Sequence, residues 1–379
     1  MRRLFSGLPM RRRLLAAALL VFPGVTFAQG SAGSAASAID FSGQILGNFQ
    51  VRTDSASKAP LGGKSPNKFE IERVYLTFRM PAGEHASIRV TTDVFQNTAG
   101  SYYNGWSIRL KYAYLQYNFS NALAGVKDLA LLGRIGIVNN VVIDHAELFW
   151  PRWISQTPVE RAGFFNSADL GMAAQLTLPG RVGEIYATVT NGPGYAAAET
   201  DRFKDFAARF TWTPLARDSG FLRTLTLSPW FYKGATASTA PATYTDALRR
   251  DRYGLIAGVH DRRLTAAAEW ARRVETVETI GPPRITADRT GQLLSAYTVA
   301  RPVEWFRRGR SPFSIIARLD HFQPNVDADP INQLLIAGVA WDVTPRVSFA
   351  MDYQAQTFAH YATPPAEQRV LFLHWQTVF

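Results

Sequence analysis

From residue 39 to its end the chain repeats one pattern: segments of about ten residues in which every second side chain is apolar. In "RVSFAMDYQAQTF", Val347, Phe349, Met351, Tyr353 and Ala355 alternate with Ser348, Ala350, Asp352, Gln354 and Gln356. Phe206, Ala208, Phe210 and Trp212 alternate in the same way with Asp205, Arg209 and Thr211, and Leu264, Ala266, Ala268 and Trp270 with Thr265, Glu269 and Arg273. A period of two is the repeat of a β-strand, whose successive side chains point to opposite faces. A water-soluble sandwich alternates too, so the lengths of the connections must separate it from a membrane barrel.

Strands are expected near 39–53, 69–80, 86–96, 107–119, 130–138, 171–179, 183–191, 204–213, 223–233, 252–260, 264–274, 291–300, 312–320, 332–343, 346–357 and 369–379. Long connections fall at 54–68, 97–106, 139–170, 192–203, 234–251, 275–290, 321–331 and 358–368. The turns between them include tight ones at Pro81, Pro179, Asp261 and Thr344, and three longer ones around Ala122, Leu215 and Trp305. Short turns on one side and long loops on the other are the signature of a transmembrane antiparallel β-barrel, here of about sixteen strands, with both chain ends on the periplasmic side. The final strand, "EQRVLFLHWQTVF", places Leu371, Leu373, Trp375, Thr377 and Phe379 on one face and Val370, Phe372, His374 and Gln376 on the other. Pairing it with the first strand removes the exposed edges of the sheet and puts Phe379 at the periplasmic rim.

The first residues have a different character. Arg2, Arg3, Arg11, Arg12 and Arg13 precede an apolar run from Leu14 to Val21, with small residues before a cut expected after Ala28. That run is shorter than the roughly 18 to 20 residues of a membrane-spanning helix. Residues 1–28 therefore read as a secretory signal peptide, 29–38 as a flexible leader ("QGSAGSAASA") and 39–379 as the barrel. Removing the signal takes five arginines from a formal charge of +11 and leaves 11 − 5 = +6, which does not imply nucleic-acid binding. The absence of cysteine excludes disulfides and thiolate metal sites.

Four stretches, "FEIERVYLTFR" (Phe69 to Arg79), "RWISQTPVERAGFFNSADLG" (Arg152 to Gly171), "TNGPGYAAAETDRFKDFAARFTW" (Thr190 to Trp212) and "GVAWDVTPRVSFAMDYQ" (Gly338 to Gln354), together with the final strand, resemble the bacterial outer-membrane porins related to the phosphate-selective O and P type. The resemblance implies residence in the outer membrane of a Gram-negative-type bacterium, contact with its lipid, assembly as a homotrimer, and a third external loop folded into the lumen. The corresponding loop is 139–170. Its length makes it functional or disordered, and Leu148, Phe149, Trp150, Trp153, Phe164 and Phe165 argue against disorder, so it is expected to pack on the inner wall.

If Leu373, Phe349, Trp270 and Phe210 face lipid, the opposite face lines the lumen with Arg89, Arg134, Arg209, Arg252, Arg273, Arg318 and Arg346, balanced by Asp93, Asp205, Glu269, Asp320, Asp342 and Asp352. Charged rings set ion selectivity, and the arginine fork suits carboxylate and phosphate oxygens. The expectation is passive diffusion of small hydrophilic solutes with a weak preference for anions, Arg134, Arg152 and Arg161 lying near the narrowest point. The competing reading is that these charges pair across the wall and only keep it wet. In "SIRLKYAYLQYNF", Arg109 and Lys111 share parity with Leu115 and Phe119, which requires a bulge or a set of residues above the bilayer. A dense phosphate cluster is not expected, because Asp144, Glu147 and Glu160 accompany the two loop arginines.

Catalysis is not expected: G-x-S-x-G, H-E-x-x-H and phosphate-loop patterns are missing, and neither a cofactor nor a metal is called for. His145 with Asp144 and Glu147 reads as a polar loop patch, and "NVDADP" (Asn325 to Pro330) as an external turn with Pro330 where a calcium loop needs glycine. A barrel-embedded lipid hydrolase and a surface adhesin or receptor are the alternatives. The inward parity of His374 counts against the first.

Overall fold

The computed structural model describes residues 39–97, 105–120, 126, 128–238, 247–279, 285–306 and 309–379. Residues 1–28 and 29–38, expected to be a signal peptide and a flexible leader, lie outside the described residues. Sixteen antiparallel strands form one closed barrel in which each pairs with its neighbours in sequence and the last pairs with the first. They are β1 (Asp40–Arg52), β2 (Asn67–Pro81), β3 (Ala86–Asn97), β4 (Gly105–Asn118), β5 (Ala130–Asn139), β6 (Ala168–Thr177), β7 (Gly183–Thr190), β8 (Asp205–Trp212), β9 (Thr226–Ala237), β10 (Ala247–His260), β11 (Leu264–Thr279), β12 (Ile285–Ala300), β13 (Phe313–Gln323), β14 (Ile331–Thr344), β15 (Val347–Ala359) and β16 (Gln368–Val378). Short helices α1 (Ser55–Lys58), α2 (Ile143–Ala146), α3 (Pro158–Arg161) and α4 (Val303–Phe306) lie in connections.

Several strands run further than their apolar pattern. The segments 275–279 and 285–290, expected within a long connection, are the ends of β11 and β12 and pair from Leu264↔Ala300 through Thr279↔Ile285. Likewise β10 begins at Ala247 rather than at 252, and β13 continues to Gln323. Beyond the bilayer both faces of a strand meet water, so the ladder continues with only scattered apolar side chains such as Leu248, Val277 and Ile285 and no sustained alternation to mark it.

Leu373, Phe349, Trp270 and Phe210 are all exposed on the outer wall, with Phe206, Trp212, Leu294, Leu319 and Met351. The intervening residues Asp205, Arg209, Thr211, Glu269, Arg318, Asp352 and His374 are buried inside. An apolar outer wall around a charged interior suits lipid outside and water within, and closure leaves no backbone edge unpaired in hydrocarbon. The chain is an outer-membrane barrel of the Gram-negative type.

Closure depends on glycine. Gly47 stands opposite Trp375 and the backbones of Gly43 and Phe379 exchange two hydrogen bonds (2.7 and 3.0 Å). The Trp375 ring lies where a Cβ on Gly47 would be, and the Phe379 ring does the same over Gly43. At the external end of this seam, Thr53 N–H donates to Arg369 O (2.7 Å). Asp54, which caps α1, accepts from the N–H groups of Ser57 (2.8 Å) and Arg369 (3.4 Å).

The parity conflict in β4 is resolved by a bulge. Thr91 pairs with Tyr112 and Thr92 with Leu110, leaving Lys111 as the extra residue. Lys111 and Tyr112 are both buried in the interior, while Leu110 before them and Leu115 after them are exposed outside. A second bulge in β2, where Leu46 pairs with Arg73 and Gly47 with Ile71, leaves Glu72 unpaired beside Arg73.

Candidate functional site

Residues 140–167, the connection between β5 and β6, run through the interior of the barrel. Val141, Val142, Ile143, Phe149, Trp150, Ile154, Val159 and Phe164 are almost wholly buried. Burying each of the larger ones stabilises the loop by about 1.5–3 kcal/mol relative to leaving it in water. They join one core with Ile256, Leu293, Tyr297, Ile316, Leu334 and Ile336, which are inward residues of β10 and β12–β14. Trp150 meets Tyr297 with ring centroids 5.9 Å apart, Phe164 meets Phe322 at 6.1 Å, and Phe165 meets Trp230 at 5.3 Å. An apolar inner wall would be out of place facing water. Here it is the seat of the loop.

Polar ties fix the loop on several strands. Arg318 donates to Ser155 Oγ (3.1 Å) and Gln156 O (2.5 Å), Arg273 to Gly163 O (3.1 Å), Gln354 to Ile154 O (3.3 Å) and Arg161 to Gln356 (2.7 Å). On the other side Arg209 donates to Val141 O, Tyr112 to Asp144 (2.9 Å), and His145 shares a hydrogen bond with Ser228 (2.8 Å). Asp144, His145 and Glu147 thus turn to different partners, and no group of metal-ligating side chains converges among the described residues.

Open space flanks the loop on the opposite half of the lumen. A cavity of about 860 Å³ opens toward the periplasmic turns and is lined by Arg89, Arg134, Arg181, Arg209 and Arg223 with Asp144 and Glu184. A second, of about 340 Å³, lies on the external side and carries Arg73, Arg109, Arg152, Arg250 and Arg252 with Glu160 and Asp169. A third, of about 410 Å³, has Arg89, Lys111 and Arg152 with Asp144 and Glu147. Cationic side chains outnumber carboxylates in the lining of all three. Arg152 borders the second and third cavities, and Asn139 and Asn140 border the first and second. These residues therefore stand where the external and periplasmic spaces meet.

Arg152 is held between Glu147 (3.0 Å) and Glu160 (2.7 Å) on the loop itself. Facing it, the Lys111 ammonium lies 4.3 Å from the centre of the Tyr75 ring, and Arg89 lies 4.4 Å from that of Tyr112. Asp93 is fully buried and takes Arg73 (3.2 Å), Arg109 (2.9 Å) and the Tyr195 hydroxyl (3.2 Å). The guanidinium of Arg109 stacks between Phe95 and Tyr195. Aromatic faces and a shared carboxylate hold these long side chains in place, which keeps them from collapsing across the opening.

The structure separates residues that the sequence grouped. Arg134 lies in the periplasmic-side cavity, held by Gln116 (2.8 Å) and Gln175 (2.7 Å), apart from Arg152. Arg161 is turned to β15 and borders none of the three cavities. Arg318 is 1% exposed and locked on Asp320 (2.5 Å), so both sit beneath the loop and tie it down. Arg252 pairs with Glu275 (2.5 Å), Arg209 with Glu184 (2.5 Å), and Arg346 lies in the exposed turn before β15 rather than in the wall. Arg73, Tyr75 and Arg250 escape the sequence reading, which notes the parity conflict at Lys111 but gives it no face. The bulge at Glu72 hid Arg73 by switching parity within its strand, and the one at Lys111 is the source of that conflict. His374 does face inward, 3.2 Å from Asp352 and beneath Trp153.

The barrel matches solved outer-membrane channels in shape. An anion-selective porin from Comamonas acidovorans superposes with a TM-score of 0.60 at 11% identity, over 90% of this chain and 100% of that one. The fold is that of a sixteen-stranded porin. The outer membrane channel DcaP of Acinetobacter baumannii shares this porin fold with a TM-score of 0.59 at 12% identity (92% and 99% of the two chains). OprB of Pseudomonas putida does so with 0.60 at 9% (90% and 94%). No family model matches the sequence, and no curated protein matches it. Shape is retained across these porins with about one residue in ten in common, as expected where alternation and closure, not particular side chains, specify the barrel.

Proposed function

We propose that this porin-fold barrel is a passive channel for small hydrophilic solutes with a weak preference for anions, its loop 140–167 forming the constriction. The observation that carries this reading is the excess of arginine and lysine over carboxylate in each lumen cavity, on both sides of the loop. An anion entering from outside would meet Arg73, Arg109, Arg250 and Arg252, pass Arg152 opposite Lys111, and leave along Arg89, Arg134 and Arg223. The preference is weak because the same wall carries Asp93, Glu147, Glu160 and Glu184, which neutralise part of the field. The anion-selective behaviour named for the Comamonas acidovorans porin is consistent with this reading. Export by the segment 1–28, and assembly as a homotrimer, belong to the same proposal.

A specific relation to phosphate-selective porins asks for more donors than the constriction supplies. Arg152, Arg109 and Arg273 already serve carboxylates or backbone carbonyls, and Arg161 is turned away to Gln356. Vesicle-swelling assays with the purified protein test the channel itself. Entry of small sugars and carboxylates into protein-containing vesicles is expected, at rates that fall with solute size. Vesicles that behave as protein-free controls, although the barrel is folded, would remove the channel reading.

A further inference from the structure

Two of the longer periplasmic turns, 213–225 and the one described at 301–306 and 309–312, are joined into one platform whose outward side lies outside the lumen cavities, although Arg223 and Thr224 at its inner edge line the periplasmic one. Phe221 and Trp305 meet edge to face with ring centroids 5.7 Å apart, although four strands intervene along the barrel. The turn 261–263 is clamped to the same platform. Arg301 N–H donates to Arg263 O (2.8 Å), and Arg262 pairs with the buried carboxylate of Glu304 (3.0 Å) while also donating to Gly309 O (3.2 Å). Glu304 in turn accepts from Ser311 N–H (2.8 Å).

This fixed scaffold holds large apolar side chains away from the protein. Phe306 is 89% exposed, and Val303, Trp305 and Leu222 are exposed beside it. Apolar groups on a braced turn that the other described residues leave largely exposed mark a contact surface. The guanidiniums of Arg263 and Arg310 are also exposed and make no ion pair among the described residues. Directly above, Phe313 and Trp341 stack on the outer wall as the lower edge of the lipid-facing band. Tryptophan and phenylalanine at that depth, next to uncommitted arginines, match the boundary between acyl chains and anionic headgroups.

We propose that this platform binds an anionic phospholipid of the periplasm-facing leaflet, Arg263 and Arg310 taking the phosphate and Trp305 and Phe306 entering the upper acyl region. The charge is complementary, the ring edges lie at the membrane boundary, and the bracing by Glu304 means that little ordering is left to be done on binding. A water-soluble periplasmic protein fits less well, since the exposed apolar groups continue the lipid-facing band.

The test is native mass spectrometry of the full protein released from nanodiscs containing equal amounts of phosphatidylglycerol and phosphatidylcholine of the same chain length. Selective retention of phosphatidylglycerol is expected. In the Arg263→Gln/Arg310→Gln variant the selectivity should fall by about fivefold for each arginine removed. Trp305→Ala should lower retention of both lipids and leave their ratio intact. Equal retention of the two lipids by the wild type, or undiminished selectivity in a double variant whose heat-modifiable gel migration shows a folded barrel, would overturn the proposal. These substitutions lie outside the lumen cavities, so conductance should be unchanged and the result is independent of the channel reading.

Discussion

Arg318 and Arg152 carry the same charge and do different work. Arg318 is dry, doubly bonded to Asp320, and spends its remaining donors on Ser155 and Gln156 of the loop. Arg318→Ala strands Asp320 beneath the loop. The expected cost is about 3–5 kcal/mol in urea unfolding, with larger and noisier single-channel currents as the loop loses its tether. Arg152 faces the passage and is partly solvated, so Arg152→Gln should leave the barrel folded. The substitution removes one cation and exposes Glu147 and Glu160, so the reversal potential in a salt gradient should move toward cations. An unchanged reversal potential in that variant would place the constriction elsewhere.

The elements that matter most are the seam between β1 and β16 and the internal loop. A side chain at position 47 must displace the Trp375 ring, so Gly47→Val is expected to destabilise the closed barrel by about 1–3 kcal/mol. Slower appearance of the heat-resistant form on refolding would show it. At the external end of the seam, burial alone would raise the Asp54 carboxyl, but the Ser57 side chain, the Ser57 and Arg369 N–H groups and Arg52 bring it down to about 2. A carboxylate with a lowered value in the fold stabilises it above its ordinary range near 3.8, and that help is lost as pH falls through about 2. Amide exchange at Ser57 and Arg369 should therefore be faster in Asp54→Asn than in the wild type at pH 5. Equal protection in the two proteins at pH 5 would deny Asp54 that role. Strand number, strand order and the inward course of His374 were legible in the alternation, because burial on one face imposes it. The strand ends of β11 and β12 were not, since above the bilayer Val277, Ile285 and Ala287 are scattered among polar residues and make no sustained alternation. Nor was the inward position of Arg73, because a bulge resets parity without leaving a mark in composition, whereas at Lys111 the conflict with Leu115 and Phe119 marked the bulge but not the face the side chain takes.

At the scale of the whole molecule, the lumen is divided lengthwise. The half formed by β10–β14 is filled by the apolar side of the loop, and the half formed largely by β2–β9 keeps the open space and most of the uncommitted arginines. The charge that matters for transport is therefore local, not the formal balance of the chain. Paired residues such as Arg318 with Asp320 cancel beneath the loop, whereas Arg89, Lys111, Arg134 and Arg223 remain along the open side. The measurement that bears most directly on this is the reversal potential of single channels in planar bilayers across a potassium chloride gradient, with the full protein and no divalent ions. A stepwise conductance whose reversal potential lies on the chloride side of zero is expected, with a shift toward zero as salt rises and screens the wall. A reversal potential on the potassium side would contradict a lumen governed by its arginines.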